Sequence, residues 1–388
     1  MNEKAPLIHI SKRENMSRGR IWVIRLLAFL TAILLSCLVF LAAGANPVEA
    51  YSTMISGALG KKSGIRQVVK VAAPLLGTAL ALAPCFRMKF WNIGAEGQIT
   101  IGAMAAAFFA INFGNKWPSA PLLIIMGLAS MLMGAVWAAI PAAFKARWKT
   151  NETLFTLMLN YIAIGIVGWL QGGPWEGKKG SQVIPNFADA AVLPKVLGVH
   201  CGWIIVLLLV VFIYIYMKYT KHGYEIAVLG ESENTARYAG MNVMKITVRT
   251  ACLSGAICGL VGFMVASGAN QTLYASVADG VGFTAITVAW LAQLNPFAMV
   301  IIAILFGILS KGASSLQTGM GVPASVSDII KGLLLLCLLG CEFFINYKLN
   351  FRGHDGHGET GAATPAAPAG NTAVPAAKSS EEGKEAAK

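Results

Sequence analysis

Residues 90–98 read FWNIGAEGQ, and within seven positions they bring together the amide of Asn92, Gly94, the carboxylate of Glu96, Gly97 and the amide of Gln98. They separate two apolar runs, 71–86 and 99–113, in a chain where charges are scarce. Glycines loosen the backbone and leave N–H and C=O groups free, while Asn92, Glu96 and Gln98 add side-chain donors and acceptors. Non-helical backbone at membrane depth is tolerated only where protein or a water-filled cavity satisfies it. An ionisable residue there is a functional-site hypothesis by default. The same residues also make an ordinary turn at a membrane surface, and composition leaves both readings open. A second polar group follows at Asn151 and Glu152, an N-cap and a first-turn acid for the helix they open. Asn160 lies two turns deeper, and an amide in mid-span needs a partner. The third is segment 218–245, the longest internal polar stretch. Its Ser232 predicts an N-cap, its Glu233 a first-turn acid, and its Gly240 a stop for a short helix over 233–239. That helix presents Arg237 and Tyr238, and reads either as a docking element or as a solvated connection.

Several chemistries are missing. The nearest approach to a phosphate-binding loop, GALGKKS from Gly57 to Ser63, has two residues too few between its glycines. HExxH and GxSxG are absent. The five histidines (His9, His200, His222, His354 and His357) lie in loops, tails or at a span end without a relay partner. The seven cysteines form no CxxC pair. The chain is therefore not expected to be an enzyme or to carry a metal or cofactor.

The elements that must hold these residues are membrane helices. Hydrophobic residues make up 56% of the 388, charged residues only 13%, and mean hydropathy is +0.63; a soluble domain carries roughly 25% charged residues. The fold class expected is all-α, a polytopic integral membrane protein. About ten transmembrane helices, some short or broken, fit runs near 21–43, 69–88, 98–114, 120–144, 151–170, 201–218, 247–267, 281–294, 296–311 and 327–346. The net charge of +13 clusters at the ends of those runs, as the positive-inside bias predicts, so no nucleic acid is implied. Residues 1–20 read as a basic cytoplasmic tail, 21–349 as a transmembrane domain, and 353–388 as a disordered low-complexity tail. Stretches 44–68, 268–280 and 312–326 read as loops. Small residues at Gly102, Ala106 and Ala110, and the Gly255–Gly259 pair, predict close helix contacts.

If such a protein moves solute uphill, the energy comes from an ion gradient or from a separate ATP-binding subunit. A secondary transporter places ionisable residues near the midplane. Here Glu96, Asp328 and Glu342 all fall near span ends, and the cytoplasmic helix at 233–239 offers a dock. The contrast favours the ATP-driven reading over an ion-gradient-driven transporter of a small polar solute.

At this point the motifs resemble a known family. FWNIGAEGQ is similar to an FNIGAEGQ signature, with Trp91 replacing its usual neighbour. Asn151-Glu152 followed by TLMLNY at 156–161 resembles an NE…TLMLNY stretch, and ARYAGMN at 236–242 resembles AARYAGIN. In this order, over about 45–349, they resemble permease subunits of bacterial ABC importers. The superfamily is the ribose/branched-chain amino acid permeases, and the branch is the one serving nucleosides and simple sugars. Two departures stand out: Ser232-Glu233-Asn234 replaces an Asn-Pro before the coupling helix, and Lys331 replaces a neutral polar residue. The resemblance implies a substrate pathway bordered by Asn92, Glu96, Gln98, Asn151 and Asn160. It implies ATPase coupling through Gly230, Ser232, Glu233, Arg237, Tyr238 and Gly240. The implied partners are a cytoplasmic ABC ATPase that binds the ATP, a second homologous permease, an extracytoplasmic solute-binding lipoprotein and membrane lipid. The implied location is the bacterial plasma membrane, and the substrate a nucleoside, purine nucleosides favoured, or a simple sugar.

Overall fold

The computed structural model describes residues 8–12 and 17–351; the tail at 353–388 and much of the one at 1–20 lie outside them. Two strands, Ile8–Lys12 and Tyr347–Phe351, pair in a small sheet of their own. Residues 12–348 form one compact helical unit. In chain order its helices are α1 Arg18–Ala42, α2 Pro47–Leu59, α3 Lys62–Arg87, α4 Ala95–Phe113, α5 Ser119–Trp148, α6 Glu152–Gln171 and α7 Gly202–Tyr219. They continue with α8 Lys221–Glu231, α9 Glu233–Tyr238, α10 Val243–Phe263, α11 Val281–Leu291, α12 Pro296–Met320 and α13 Ala324–Asn346.

Local chemistry sets most boundaries. Asn46, Asn151, Ser232, Asn242 and Asn295 each accept a backbone N–H in the first turn of the helix they open. Pro47 and Pro296 stand at the first helical turn, where a missing N–H costs nothing.

Six of the described helices are long and apolar enough to cross a membrane: α3, α5, α6, α7, α10 with its extension, and α12. Helices α1 and α2, bent by 110°, would together make a seventh. Burial separates the six. The most apolar windows of α3 and α10 are 83% and 72% buried, against 22% to 33% for the other four. So α3 and α10 form the interior, and α5, α6, α7 and α12 turn Leu, Ile and Phe faces outward.

The interior is drawn tight where α10 crosses α4 and α5. A Cβ on Gly259 would lie 2.0 Å from the Ser130 carbonyl oxygen, and one on Gly134 would lie 2.2 Å from that of Gly255. The backbones touch, and Ser130 Oγ donates across the gap to the Gly102 carbonyl at 2.8 Å. Such contact is how membrane helices gain packing energy without a hydrophobic driving force between them.

Three stretches expected to be loops are partly helical. Residues 44–68 contain α2 and the start of α3, because Asn46-Pro47 opens a helix. Residues 312–326 begin with the last turns of α12. There Leu316 is buried beside Met54 of α2, so α12 continues where its sequence turns polar. Helix α10 runs on through a π-helical segment, Met264–Asn270, before the chain becomes irregular at 271–280.

The connection between α6 and α7 is well tied. Phe187 N–H donates to the Gln271 carbonyl at 2.8 Å and Leu193 N–H to that of Ser267 at 3.1 Å. A short hairpin pairs Lys195 with His200 and Val196 with Val199. His200 is buried with neither ring nitrogen hydrogen-bonded. Burial, with help from the charge of Lys70, pushes its imidazole down to about 4 and keeps it neutral.

Candidate functional site

Helix α3 ends at Arg87, and Lys89 reverses the chain at a φ of 59°. Residues 90–94 then run in an extended turn into α4, inside the protein. Asn92 is fully buried, and Gln98 and Asn160 are 1% exposed. Asn92 Nδ2 donates to Gln98 Oε1 at 3.3 Å and to Ser254 Oγ at 3.2 Å. Its Oδ1 accepts from Gln98 Nε2 at 3.0 Å and from Gly94 N–H at 3.1 Å. Asn160 of α6 binds the turn from the other side: Oδ1 accepts from Gly97 N–H at 2.8 Å, and Nδ2 donates to the Ile93 carbonyl at 2.9 Å. Thr156 Oγ accepts from Ile93 N–H at 3.2 Å and donates to the Glu152 carbonyl at 2.7 Å. Glu96 reaches a third element. Its two carboxylate oxygens accept from Gly280 N–H and Gly282 N–H, each at 2.8 Å, where α11 begins. Gly282 is needed there, because a Cβ would lie 2.4 Å from the Glu96 nitrogen.

This polar knot joins α4, α6, α10 and α11 through groups that are mutually satisfied. On its outer side Trp91 stacks on Trp290, ring centroids 5.4 Å apart, and Trp290 stacks on Phe86 at 5.7 Å.

Residues 271–280, which lead into α11, form one wall of a cavity of about 440 Å³. Gln67, Lys70 and Pro74 of α3, Phe306 and Ser310 of α12, and Asp328 of α13 line it with Asn270, Tyr274, Asp279 and Thr284. Asn270 Nδ2 donates to the Tyr274 hydroxyl at 3.0 Å. Its volume is that of a small-molecule site, and its lining mixes apolar surface with a few polar groups. Among the described residues no three His, Cys, Asp or Glu side chains gather as a metal site.

Where α3 stops, α8 packs against α3, α7 and α10, and α9 against α8 and α10. Ser232 Oγ accepts from Thr235 N–H at 3.3 Å to cap α9, and Gly240, at a φ of 72°, follows its end. Arg237 donates to Glu233 Oε1 from Nη2 at 2.6 Å and from Nε at 3.1 Å. That hydrogen bond holds the Glu233 carboxyl below the usual range. Tyr238 is 93% exposed. Beside α9 runs a groove of about 770 Å³ bordered by Lys89, Lys145, Lys149 and Arg237. Gly230 sits so close to α3 that a Cβ would lie 2.0 Å from the Arg87 carbonyl oxygen. His222 of α8 is buried beside Tyr216 and Thr250, and burial, then Arg249, pushes its imidazole down.

A family model described as the branched-chain amino acid transport system / permease component matches residues 64–339, a span that contains the knot, the cavity and α9. The chain belongs to this permease family. The glucose ABC transporter permease protein TsgB13 of Haloferax volcanii is 33% identical, over 85% of this chain and 91% of that protein. The guanosine ABC transporter permease protein NupP of Bacillus subtilis is 29% identical, over 81% and 92%. The nucleoside ABC transporter permease protein NupB of Lactococcus lactis is 27% identical, over 84% and 93%. No solved structure matches the chain. The protein is a multi-pass, helical membrane permease, a transport component and not an enzyme.

In this permease the structure gathers Asn92, Glu96, Gln98 and Asn160 into one knot and leaves Asn151 apart. Asn151 is exposed and caps α6, accepting from Thr153 N–H at 3.1 Å and Leu154 N–H at 3.2 Å. The next residue, Glu152, is buried and pairs with Lys145 at 2.7 Å. Gly230, Ser232, Glu233, Arg237, Tyr238 and Gly240 lie together around α9. Sequence reasoning missed Thr156, Ser254, Gly280, Gly282 and Lys145. Thr156 stands one turn from Asn160 and Lys145 lies seven residues before Glu152, so both had a signal nearby in the sequence; Ser254, Gly280 and Gly282 meet their partners across the fold and had none.

Proposed function

We propose that this permease is the membrane subunit of an ATP-driven ABC importer in a bacterial plasma membrane, with purine nucleosides favoured over simple sugars as cargo. The single observation that carries the reading is α9: a helix capped at both ends, exposed on its outer face, and joined directly to α8, whose Gly230 packs against the end of α3. An ATPase docked there pushes on α3 and on the turn that follows it. The ATP belongs to that cytoplasmic subunit, and this chain needs no cofactor of its own. A second homologous permease completes the pathway, and an extracytoplasmic solute-binding lipoprotein delivers the cargo.

In this reading α9 faces the cytoplasm, in keeping with the cations at that end. The six long helices become ten crossings within 21–349 when α1, α4, α11 and α13 are added. Cargo enters the cavity beside Lys70, Asn270 and Asp279, where irregular backbone lines a hollow at membrane depth, as transport sites require. Asn92, Glu96, Gln98 and Asn160 border the pathway by fixing the start of α11, and Asn151 borders it at the mouth. Two of the three relatives described carry nucleoside names, and a base with a ribose suits an amide- and hydroxyl-lined hollow.

The test is uptake of labelled guanosine by cells with and without the gene, repeated with the proton gradient collapsed and ATP maintained. Gene-dependent uptake that survives collapse and yields to adenosine, but not to ribose or leucine, supports the proposal. Loss of uptake on collapse would replace it with an ion-coupled transporter, and competition by ribose alone would move the cargo to sugars.

A further inference from the structure

Helices α3 and α7 end, and α12 begins, around a cleft of about 350 Å³. Its floor is apolar, from Ala83, Met217 and Leu294, and its mouth carries Arg87 and Lys218, with no carboxylate among the described lining residues. All three helices are among the long apolar six, so the cleft sits where the apolar shell gives way to water. Aromatic rings ring its edge, as they do at membrane interfaces. Tyr219 is 67% and Phe297 51% exposed, and the Tyr214 and Phe297 rings lie 5.0 Å apart. Lys218 Nζ stands 3.0 Å from the Tyr214 hydroxyl and 5.3 Å and 5.4 Å from the centroids of Tyr214 and Tyr219. These contacts hold the ammonium in place without neutralising it. Asn295 Oδ1 already caps Phe297 and Ala298, which leaves this side chain only its Nδ2 donors toward a ligand.

We propose that this cleft binds the phosphodiester headgroup of an anionic membrane lipid, with Arg87 and Lys218 pairing the phosphate and the acyl chains running along α7 and α12. A guanidinium and an ammonium, unopposed by acids at an interface, select negative charge. The apolar floor selects a lipid over a free anion. The bound lipid ties the end of α3 to α7 and α12, and this holds whatever the cargo.

The experiment uses the full-length chain purified in detergent. It is equilibrated with equimolar phosphatidylglycerol and phosphatidylcholine of the same acyl chains, and retained lipid is counted by native mass spectrometry. Phosphatidylglycerol is expected to be retained roughly 30-fold over phosphatidylcholine, and Arg87→Gln with Lys218→Gln to bring the two near parity. Each single variant is expected to lose about fivefold, which keeps the test informative if the double variant does not fold. Arg87→Lys, and the loop variant Lys178→Gln with Lys179→Gln, should retain the preference. Parity in the unaltered chain, or a preference unchanged in the folded variants, would overturn the proposal. Full displacement by excess inorganic phosphate would overturn it too, by showing a free-anion site.

Discussion

The turn at 90–98 and helix α9 are both short polar stretches in an apolar chain, and their polar atoms have opposite fates. In the turn, Asn92, Glu96 and Gln98 are buried, and the turn's polar groups are satisfied by Asn160 of α6, Ser254 of α10 and the start of α11. In α9, Ser232 and Glu233 satisfy only their own helix, and Arg237 and Tyr238 stay in the open. A buried, satisfied network specifies one arrangement of the helices around it. The exposed, self-capped polar face of α9, whose Ala236 is buried on the other side, remains free to be met by a partner. Gly230 against the Arg87 carbonyl connects the two.

The comparison is broken most severely at the crossing beneath the knot. Gly259→Leu should cost more than about 4 kcal/mol, because backbone blocks the new side chain. No monodisperse protein is expected on size exclusion; a folded variant would show that the tight crossing is dispensable. Arg237→Glu should act in the opposite way, abolishing cargo uptake while changing thermal stability by less than about 0.5 kcal/mol. Full uptake would remove α9 from the coupling route.

Asn160→Leu strands the Gly97 N–H and the Ile93 carbonyl and should cost about 2–6 kcal/mol, read as a lower midpoint in detergent unfolding. A loss as small as that of Arg237→Glu would erase the distinction between the regions. The smallest effect concerns the Glu233–Arg237 pair, which is exposed on both sides. Because the folded carboxyl titrates below its ordinary value of about 4.3, the pair stabilises α9 above that pH. The contribution, a few tenths of a kcal/mol, disappears as pH falls through the folded value. A ¹³C-carboxyl titration of Glu233 should show a depressed midpoint that Arg237→Gln returns to normal.

What was legible in the sequence was local. The caps at Asn151 and Ser232 bind residues two or three positions on, so their chemistry is written consecutively. Asn46-Pro47 carries the same cap and first-turn proline as Asn295-Pro296, yet it falls in the amphipathic stretch 44–68, expected to be a loop, which also contains Lys61, Lys62 and Arg66. The end of α12 depends on Leu316 meeting Met54, and the clamp on α11 on Glu96 meeting Gly280; no window of sequence contains either pair. The π-helical end of α10 has no sequence period of its own. The glycines at 255 and 259 announced a close crossing, and α5 turned out to meet them through Gly134.

The Glu96 clamp also bears on how the protein is made. Its two acceptors meet donors 184 and 186 residues later in the chain. At about 5–20 residues per second of synthesis, the carboxylate waits roughly 10 to 40 seconds, through the making of the four long apolar helices α5, α6, α7 and α10, before its partners leave the ribosome. During that interval the start of α4 must stay hydrated or be sheltered by the insertion machinery. Translational pausing after α10 would lengthen this exposure, and newly made chains stalled there should be the ones quality-control proteases remove first.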